Sequence, residues 1–361
     1  MSKVEGNGEQ AGERSGTAEA AGTAGKRRML RPLGEVGQRR YEAGLAGGAA
    51  FALARDFVRV EGADAFAYLQ GQLSQDLAPM GAGDSVQSLL LSPKGKLVAA
   101  LRVTRLSADA FVLDGDAGTG PPVVERLTKF KLRSRLDIST VPWRAVALRG
   151  GPPGDGGALL AGGVLGSGVV GSDDGGALGI SGDGTTGYGA RGYMVLPAYW
   201  EGVQGVDLVG EAPAAPEGSE QFDVEAAEAL RIETGTPRFG AELSEEVIPA
   251  EADLVTGYVS FTKGCYTGQE LVARIDSRGS NVARRLRGLV FDAAGELDVA
   301  PGEELSADGS RAGVLTSVGW CPRLGAFAGL GFVRRAVPPG TRVRVGGGGP
   351  WAEVRELPLI S

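Results

Sequence analysis

Phe261-Thr262-Lys263-Gly264-Cys265-Tyr266-Thr267-Gly268-Gln269-Glu270, running into Leu271, Val272 and Ile275, is the stretch on which the reading of this chain turns. Thr267 and Glu270 have the T-x-x-E spacing of a capping box, so a helix is predicted to begin there. Cys265 then stands just ahead of a helix N-terminus, where the partial positive charge of the helix adds to the full charge of Lys263. Both fields favour a nucleophilic sulfur. The competing reading is a small buried thiol that packs like any apolar group. Gly264 and Gly268 allow the backbone to turn on either side of Tyr266. Gln269 and Glu270 serve either the cap or a ligand.

Upstream of this stretch, Phe66, Leu69, Leu73 and Leu77 fall at helical spacing with Gly71 in their midst, which predicts a short helix running into a loop. Ser85 to Leu91 and Lys96 to Val103 are β-prone runs joined by Ser92-Pro93-Lys94-Gly95, the residue order of a type I turn, and predict a hairpin. Val123, Leu127 and Phe130 after Pro122 predict a helix, and Trp143 to Leu148 a strand. Phe222, Ala226, Ala229 and Leu230 mark a helix that stops at Gly235 before Pro237. Beyond it, Leu286 to Phe291, Gly313 to Val318, Ala328 to Val333 and Thr341 to Val345 alternate with Gly and Pro turns and predict a small β-barrel. The pattern is α+β with mostly antiparallel sheet.

Composition removes whole classes of chemistry. The chain has 361 residues and no histidine, which excludes Ser-His-Asp and Cys-His nucleophile pairs and His-containing zinc sites. Two cysteines, Cys265 and Cys321, are too few for a disulfide framework or for the four thiolates of a resident iron–sulfur cluster. No metal site is expected. No apolar run reaches membrane-spanning length and no signal-peptide core precedes residue 28, so a cytoplasmic location is expected. The net charge of −7 argues against broad electrostatic binding to nucleic acid or anionic membrane, though local basic patches are compatible with it. Residues 1 to 28 are polar, small and free of aromatics, the composition of a disordered tail. Sixteen glycines between residues 151 and 190 predict a flexible insertion.

The decapeptide resembles the K-G-C-[FY]-x-G-Q-E box of the YgfZ-type folate-binding proteins, relatives of the glycine-cleavage T-protein (aminomethyltransferase). The resemblance extends to Leu69-Gln70-Gly71-Gln72-Leu73 with Asp76, to Arg231-Ile232-Glu233-Thr234-Gly235-Thr236-Pro237 and to Ile248-Pro249. It implies a three-domain, aminomethyltransferase-like, folate-binding α+β architecture around a central hole for tetrahydrofolate or a one-carbon derivative, closed by a C-terminal β-barrel. On this division residues 1–40 form the disordered tail. Residues 41–284 form the folate-binding region, two interleaved subdomains with the Gly-rich insertion at 151–187, and residues 285–361 form the barrel.

The same resemblance implies roles for single residues. Cys265 is the functional thiol with Lys263 beside it, and Gly264, Tyr266, Gly268 and Glu270 complete the motif. Arg231, Tyr188 and Gln269 are expected at the folate, Arg231 on an anionic or polar part of it and Tyr188 near the pterin. The T-protein carries an acidic pair in its second hairpin strand, whereas Lys96 to Val103 holds no carboxylate. Ordinary aminomethyltransferase turnover is therefore not expected. The resemblance implies instead a folate-binding factor that supports assembly or repair of iron–sulfur proteins, including those that modify tRNA. Such proteins or their assembly factors would be its partners. The alternatives are a folate-dependent one-carbon transferase drawing its acid from Asp76 or Glu233, and an interaction module without ligand. Arg284, Arg285 and Arg287 read as a solvated strand start more than as a tRNA-binding patch, and direct nucleic-acid binding is not expected.

Overall fold

The computed structural model describes residues 27–151, 193–277, 279–293 and 295–360. In chain order the first elements are β1 (Arg28–Leu30), α1 (Glu35–Gly47), β2 (Ala49–Leu53), β3 (Arg55–Glu61), α2 (Ala65–Gln72), β4 (Ser85–Leu91), β5 (Leu97–Arg105) and β6 (Ala110–Asp116). There follow α3 (Gly120–Phe130), β7 (Asp137–Val141), β8 (Arg144–Arg149), β9 (Tyr193–Pro197), β10 (Gly205–Gly210), β11 (Glu220–Gln221), α4 (Val224–Glu233) and α5 (Gln269–Asp276). The last seven strands are β12 (Arg284–Phe291), β13 (Leu297–Val299), β14 (Glu304–Ala307), β15 (Ser310–Cys321), β16 (Ala326–Arg334), β17 (Arg342–Val345) and β18 (Trp351–Arg355).

One sheet has the order β4-β5-β6-β3-β7 and a second the order β11-β2-β8-β10-β9; β12-β16-β15-β14-β17-β18 close into a barrel. Apart from the short parallel β11–β2 contact, the pairings are antiparallel. The chain lays β2 in the second sheet, crosses to the first for β3 to β7, and returns at β8. Phe57, Val112, Trp143, Ala145, Met194 and Val209 fill the seam between the sheets. A further core joins the hairpin residues Leu89, Leu91 and Leu97 to Tyr266, Val272 and the barrel residues Leu286, Leu330 and Phe332. Among the described residues no helix is long and apolar enough to cross a membrane.

The predicted hairpin forms as β4 and β5, with the Gly95 N–H donating to the Ser92 carbonyl at 2.8 Å and Gly95 at φ +72°. The helix from Val224 ends as expected, with Gly235 at φ +69°. The tail assigned to residues 1–40 needs correction, because β1 lies inside it and α1 begins there. β1 pairs with β13, and α1 buries Tyr41, whose hydroxyl donates to Glu233 at 2.8 Å. The helix was hard to read because its cap is Gly34 without a side-chain hydrogen bond, and its anchoring Tyr41 lies beyond the assigned tail. Residues 1–26, the insertion from 152 onward and Tyr188 lie outside the described residues.

Candidate functional site

Gln70 and Lys263, far apart in sequence, meet at the end of α2. Carbonyls of a last helical turn lack intrahelical partners and need donors from elsewhere. The Lys263 ammonium supplies them, donating to the carbonyls of Gln70, Leu73 and Gln75, each at 2.8 Å. Its three N–H groups are thereby used. The Thr267 N–H donates to the Gly71 carbonyl at 3.1 Å and the Ser260 N–H to the Ser74 carbonyl at 3.0 Å. In the other direction the Ser74 hydroxyl donates to Tyr258 at 2.6 Å and Gln75 Nε2 to Gly257 at 2.7 Å. The two stretches that carry the family resemblance are thus zipped into one platform.

The β4–β5 turn closes the other side of the loop. Gly268 has φ +84°, and a Cβ there would stand 2.5 Å from the Ser92 carbonyl oxygen. Gly95 faces it, where a Cβ would stand 2.5 Å from Leu271 Cβ. A side chain at either position would push the turn and α5 apart. Tyr266 is buried as the anchor of the loop, and Cys265 beside it is exposed. Gln269 Oε1 accepts the Tyr266 N–H at 3.0 Å, Gly264 faces open space and Glu270 is exposed.

Three expectations change. The capping box is absent: α5 starts at Gln269 behind Gly268, whose side-chain-free left-handed turn takes the N-cap position, and the Thr267 hydroxyl turns instead toward Gln72 Oε1 at 3.4 Å. Lys263 is a clamp on the carbonyls at and just beyond the end of α2. Burial pushes its amine down to about 8, with Asp76 acting in the opposite sense. Arg231 is buried with all five N–H donors engaged. Nε and Nη2 meet Glu228 at 2.9 and 2.7 Å, Nη1 meets Glu242 at 2.9 Å and the Thr236 carbonyl at 2.7 Å, and Nη2 also meets Ser317 at 2.5 Å. It therefore fastens α4 to β15 and has no donor left for a folate anion.

Lys263→Met should lower the unfolding free energy by roughly 1.5–3 kcal/mol, the range for hydrogen bonds to a charged group. Cys265 should still alkylate rapidly, while the buried Cys321 reacts only on unfolding. Urea titration with mass-spectrometric alkylation checks this. Unchanged stability with slowed Cys265 alkylation would instead make Lys263 an activator of the thiol.

A second polar region escaped the sequence reading. Arg102, mid-strand in β5, bonds Asp114 through Nε at 2.9 Å and Nη2 at 3.0 Å, and Asp207 through Nη1 at 2.7 Å. Arg55 reaches Asp114 at 2.6 Å and Arg149 reaches Asp207 at 2.8 Å. This alternating chain ties β3, β5 and β6 to β8 and β10. At its outer end lie the half-buried Asp116, which accepts the Phe239 N–H at 2.9 Å, the half-buried Tyr258, which accepts from Gln87 Nε2 at 2.5 Å, and the exposed Tyr199, which donates to the Ser85 carbonyl at 3.0 Å. Burial pushes both phenols up. The available signal was charge inside apolar strands, since a buried charge must be paired.

Of the two alternative acids, Asp76 accepts from the Ala78 N–H and from Gln70, which hold it below the usual carboxylate range. Glu233 is fully buried between Tyr41 and the Arg323 N–H, and burial pushes it up. It clamps α1 and α4 to the β15–β16 turn. Among the described residues no three His, Cys, Asp or Glu side chains converge as a metal site.

Interlocked antiparallel sheets closed by a six-stranded barrel define an aminomethyltransferase-type fold. A solved structure of glycine cleavage system aminomethyltransferase T from Bartonella henselae matches with a TM-score of 0.72 at 21% identity, covering 92% of this chain and 91% of that one. Residues 284–359 match the family described as the glycine cleavage T-protein C-terminal barrel domain. The chain is 30% identical to the tRNA-modifying protein YgfZ of Shigella dysenteriae over 247 residues, 68% of this chain and 72% of that one. It is 26% identical to an uncharacterized protein of Haemophilus influenzae over 266 residues, 72% and 80% of the two chains. The chain belongs to the YgfZ family.

Proposed function

We propose that this chain binds tetrahydrofolate or a one-carbon derivative in the cytoplasm and, through Cys265, supports tRNA modification that depends on iron–sulfur proteins. The observation that carries the reading is the exposed Cys265 on a platform built from two distant motifs and pinned by Lys263. The naming of relatives as tRNA-modifying proteins supports the process, and the aminomethyltransferase-type fold supports the ligand. The groups around Asp116 suit a folate: a pterin offers adjacent N–H donors and a flat ring, and Asp116, Gln87, Tyr199 and Tyr258 offer acceptors and aromatic faces. With one exposed thiol in this loop, an iron–sulfur cluster would be held only jointly with a partner, either an iron–sulfur protein or an assembly factor.

Tetrahydrofolate should raise the melting temperature, since a ligand at 100 times its Kd stabilises the native state by about 2.7 kcal/mol. Cys265→Ser should keep that shift while losing support of an iron–sulfur tRNA-modifying enzyme in cells. No shift at saturating folate ends the ligand assignment, and full support by Cys265→Ser ends the thiol assignment.

One-carbon transfer from folate is the second reading, favoured by Asp116. Asp116 ends β6, which pairs with β5, so a carboxylate lies on the strand next to the one that has none. This reading requires turnover of an aminomethyl or methylamine donor.

A further inference from the structure

The negative charge of this protein is unevenly distributed. The whole chain carries −7, yet residues 284–360 hold ten arginines against eight carboxylates. The excess gathers at one edge of the barrel. Arg284 and Arg334 face each other directly across β12 and β16, a like-charge pairing that works against the sheet. The Arg335 N–H donates to the Ala283 carbonyl at 3.0 Å, which holds Arg335 beside the same strand start. Arg285 Nη2 donates to the Ser280 carbonyl at 2.6 Å, and the Ser280 N–H donates to the Ile275 carbonyl at 3.0 Å. These bonds carry the basic edge onto the last turn of α5, where Arg274 is exposed. α5 is the helix that begins behind the Cys265 loop.

Nearby carboxylates neutralise only part of this edge. Glu251 pairs with Arg284 at 3.2 Å and Glu356 with Arg287 at 3.1 Å, and Asp276 ends α5. Arg274, Arg334 and Arg335 are exposed, and among the described residues no carboxylate pairs with them. Arg284 also stacks 4.5 Å over the Phe332 ring, which fixes its direction. Unneutralised guanidinium groups set against their own mutual repulsion suit a partner that supplies repeated negative charge, as a phosphate backbone does.

We propose that the edge formed by Arg274, Arg284, Arg334 and Arg335 is a docking surface for the phosphate backbone of tRNA, delivering the RNA or its modifying enzyme to the Cys265 loop. The choice of RNA as the polyanion rests on the tRNA-modification reading above. Net charge alone argued against nucleic-acid binding, and the local distribution reverses that argument for this one face.

The test uses the full chain with an in vitro tRNA transcript in filter-binding or anisotropy titrations over a salt series. R334E/R335E should weaken binding at least tenfold, and R334A/R335A should lower the slope of log K against log salt by about two, close to one per lost phosphate contact. R334K/R335K should retain most of the affinity. Undiminished binding by R334E/R335E, no binding by the wild type at low salt, or arginine-dependent binding to phosphatidylserine vesicles in preference to tRNA would each overturn the proposal. The tetrahydrofolate thermal shift is measured on the same preparations. Arginine-dependent tRNA binding without a folate shift leaves this surface standing and removes the folate reading. A folate shift without tRNA binding removes the surface alone.

Discussion

Arg231→Ala should lower the unfolding free energy by about 3–5 kcal/mol, the usual cost of removing one partner from a buried ion pair. The arginine is 4% exposed, and Glu242 opposite it is 1% exposed. Burial works against the guanidinium charge, but Glu242 and then Glu228 more than offset this and hold its pKa raised. Without Arg231, Glu242 retains the Ser317 and Thr316 hydroxyls and the Arg238 N–H but has lost its counter-charge. Arg231→Ala combined with Glu242→Gln should recover part of the loss, because the residues are coupled and the stranded charge is gone. Urea unfolding of the four proteins in the cycle measures this. A loss below about 1 kcal/mol, together with weakened folate binding by a folded Arg231→Ala protein, would restore this residue to the ligand.

What the residues disclosed in advance was mostly local. The Ser92–Gly95 turn, the stop at Gly235 and the barrel strands follow from backbone preferences that tertiary structure did not override. The thiol motif was legible as a unit, but its mechanics were not. Lys263 looked like a field acting on Cys265 because the two are close in sequence; the carbonyls that take its charge belong to the end of α2 and the loop after it, which spacing alone cannot bring into view. The Thr267–Glu270 box failed because Gly268 sits between them in a left-handed conformation that displaces the helix start. Arg231 was located by its motif and misread in its role, since its partners Glu242 and Ser317 come from elements later in the chain.

The buried chain Arg55–Asp114–Arg102–Asp207–Arg149 sets the second large expectation. Asp207→Asn keeps the shape of the side chain but leaves Arg102 and Arg149 with one carboxylate fewer, and should cost about 3–5 kcal/mol at neutral pH. Arg149 is the more exposed to this loss in energetic terms. It is 1% accessible, and among the described residues its Nε has no partner and apart from Asp207 it bonds only the Leu148 and Val206 carbonyls while lying 4.8 Å over the Trp200 ring. Burial disfavours the Asp207 carboxylate, yet Arg149 and then Arg102 outweigh it and hold its pKa below the ordinary value. A carboxyl group whose folded value is depressed contributes stability in full above its unfolded value, near 3.9, and loses that contribution as pH falls through the lower folded value. The gap between wild type and Asp207→Asn should therefore be widest at neutral pH and narrow progressively in acid, below about pH 4. Urea unfolding of both proteins from pH 7 down to pH 3 tests the magnitude and the sign together. A gap that stays constant through the acid range would mean that the charge on Asp207 contributes nothing and that the network acts through shape and hydrogen bonds alone.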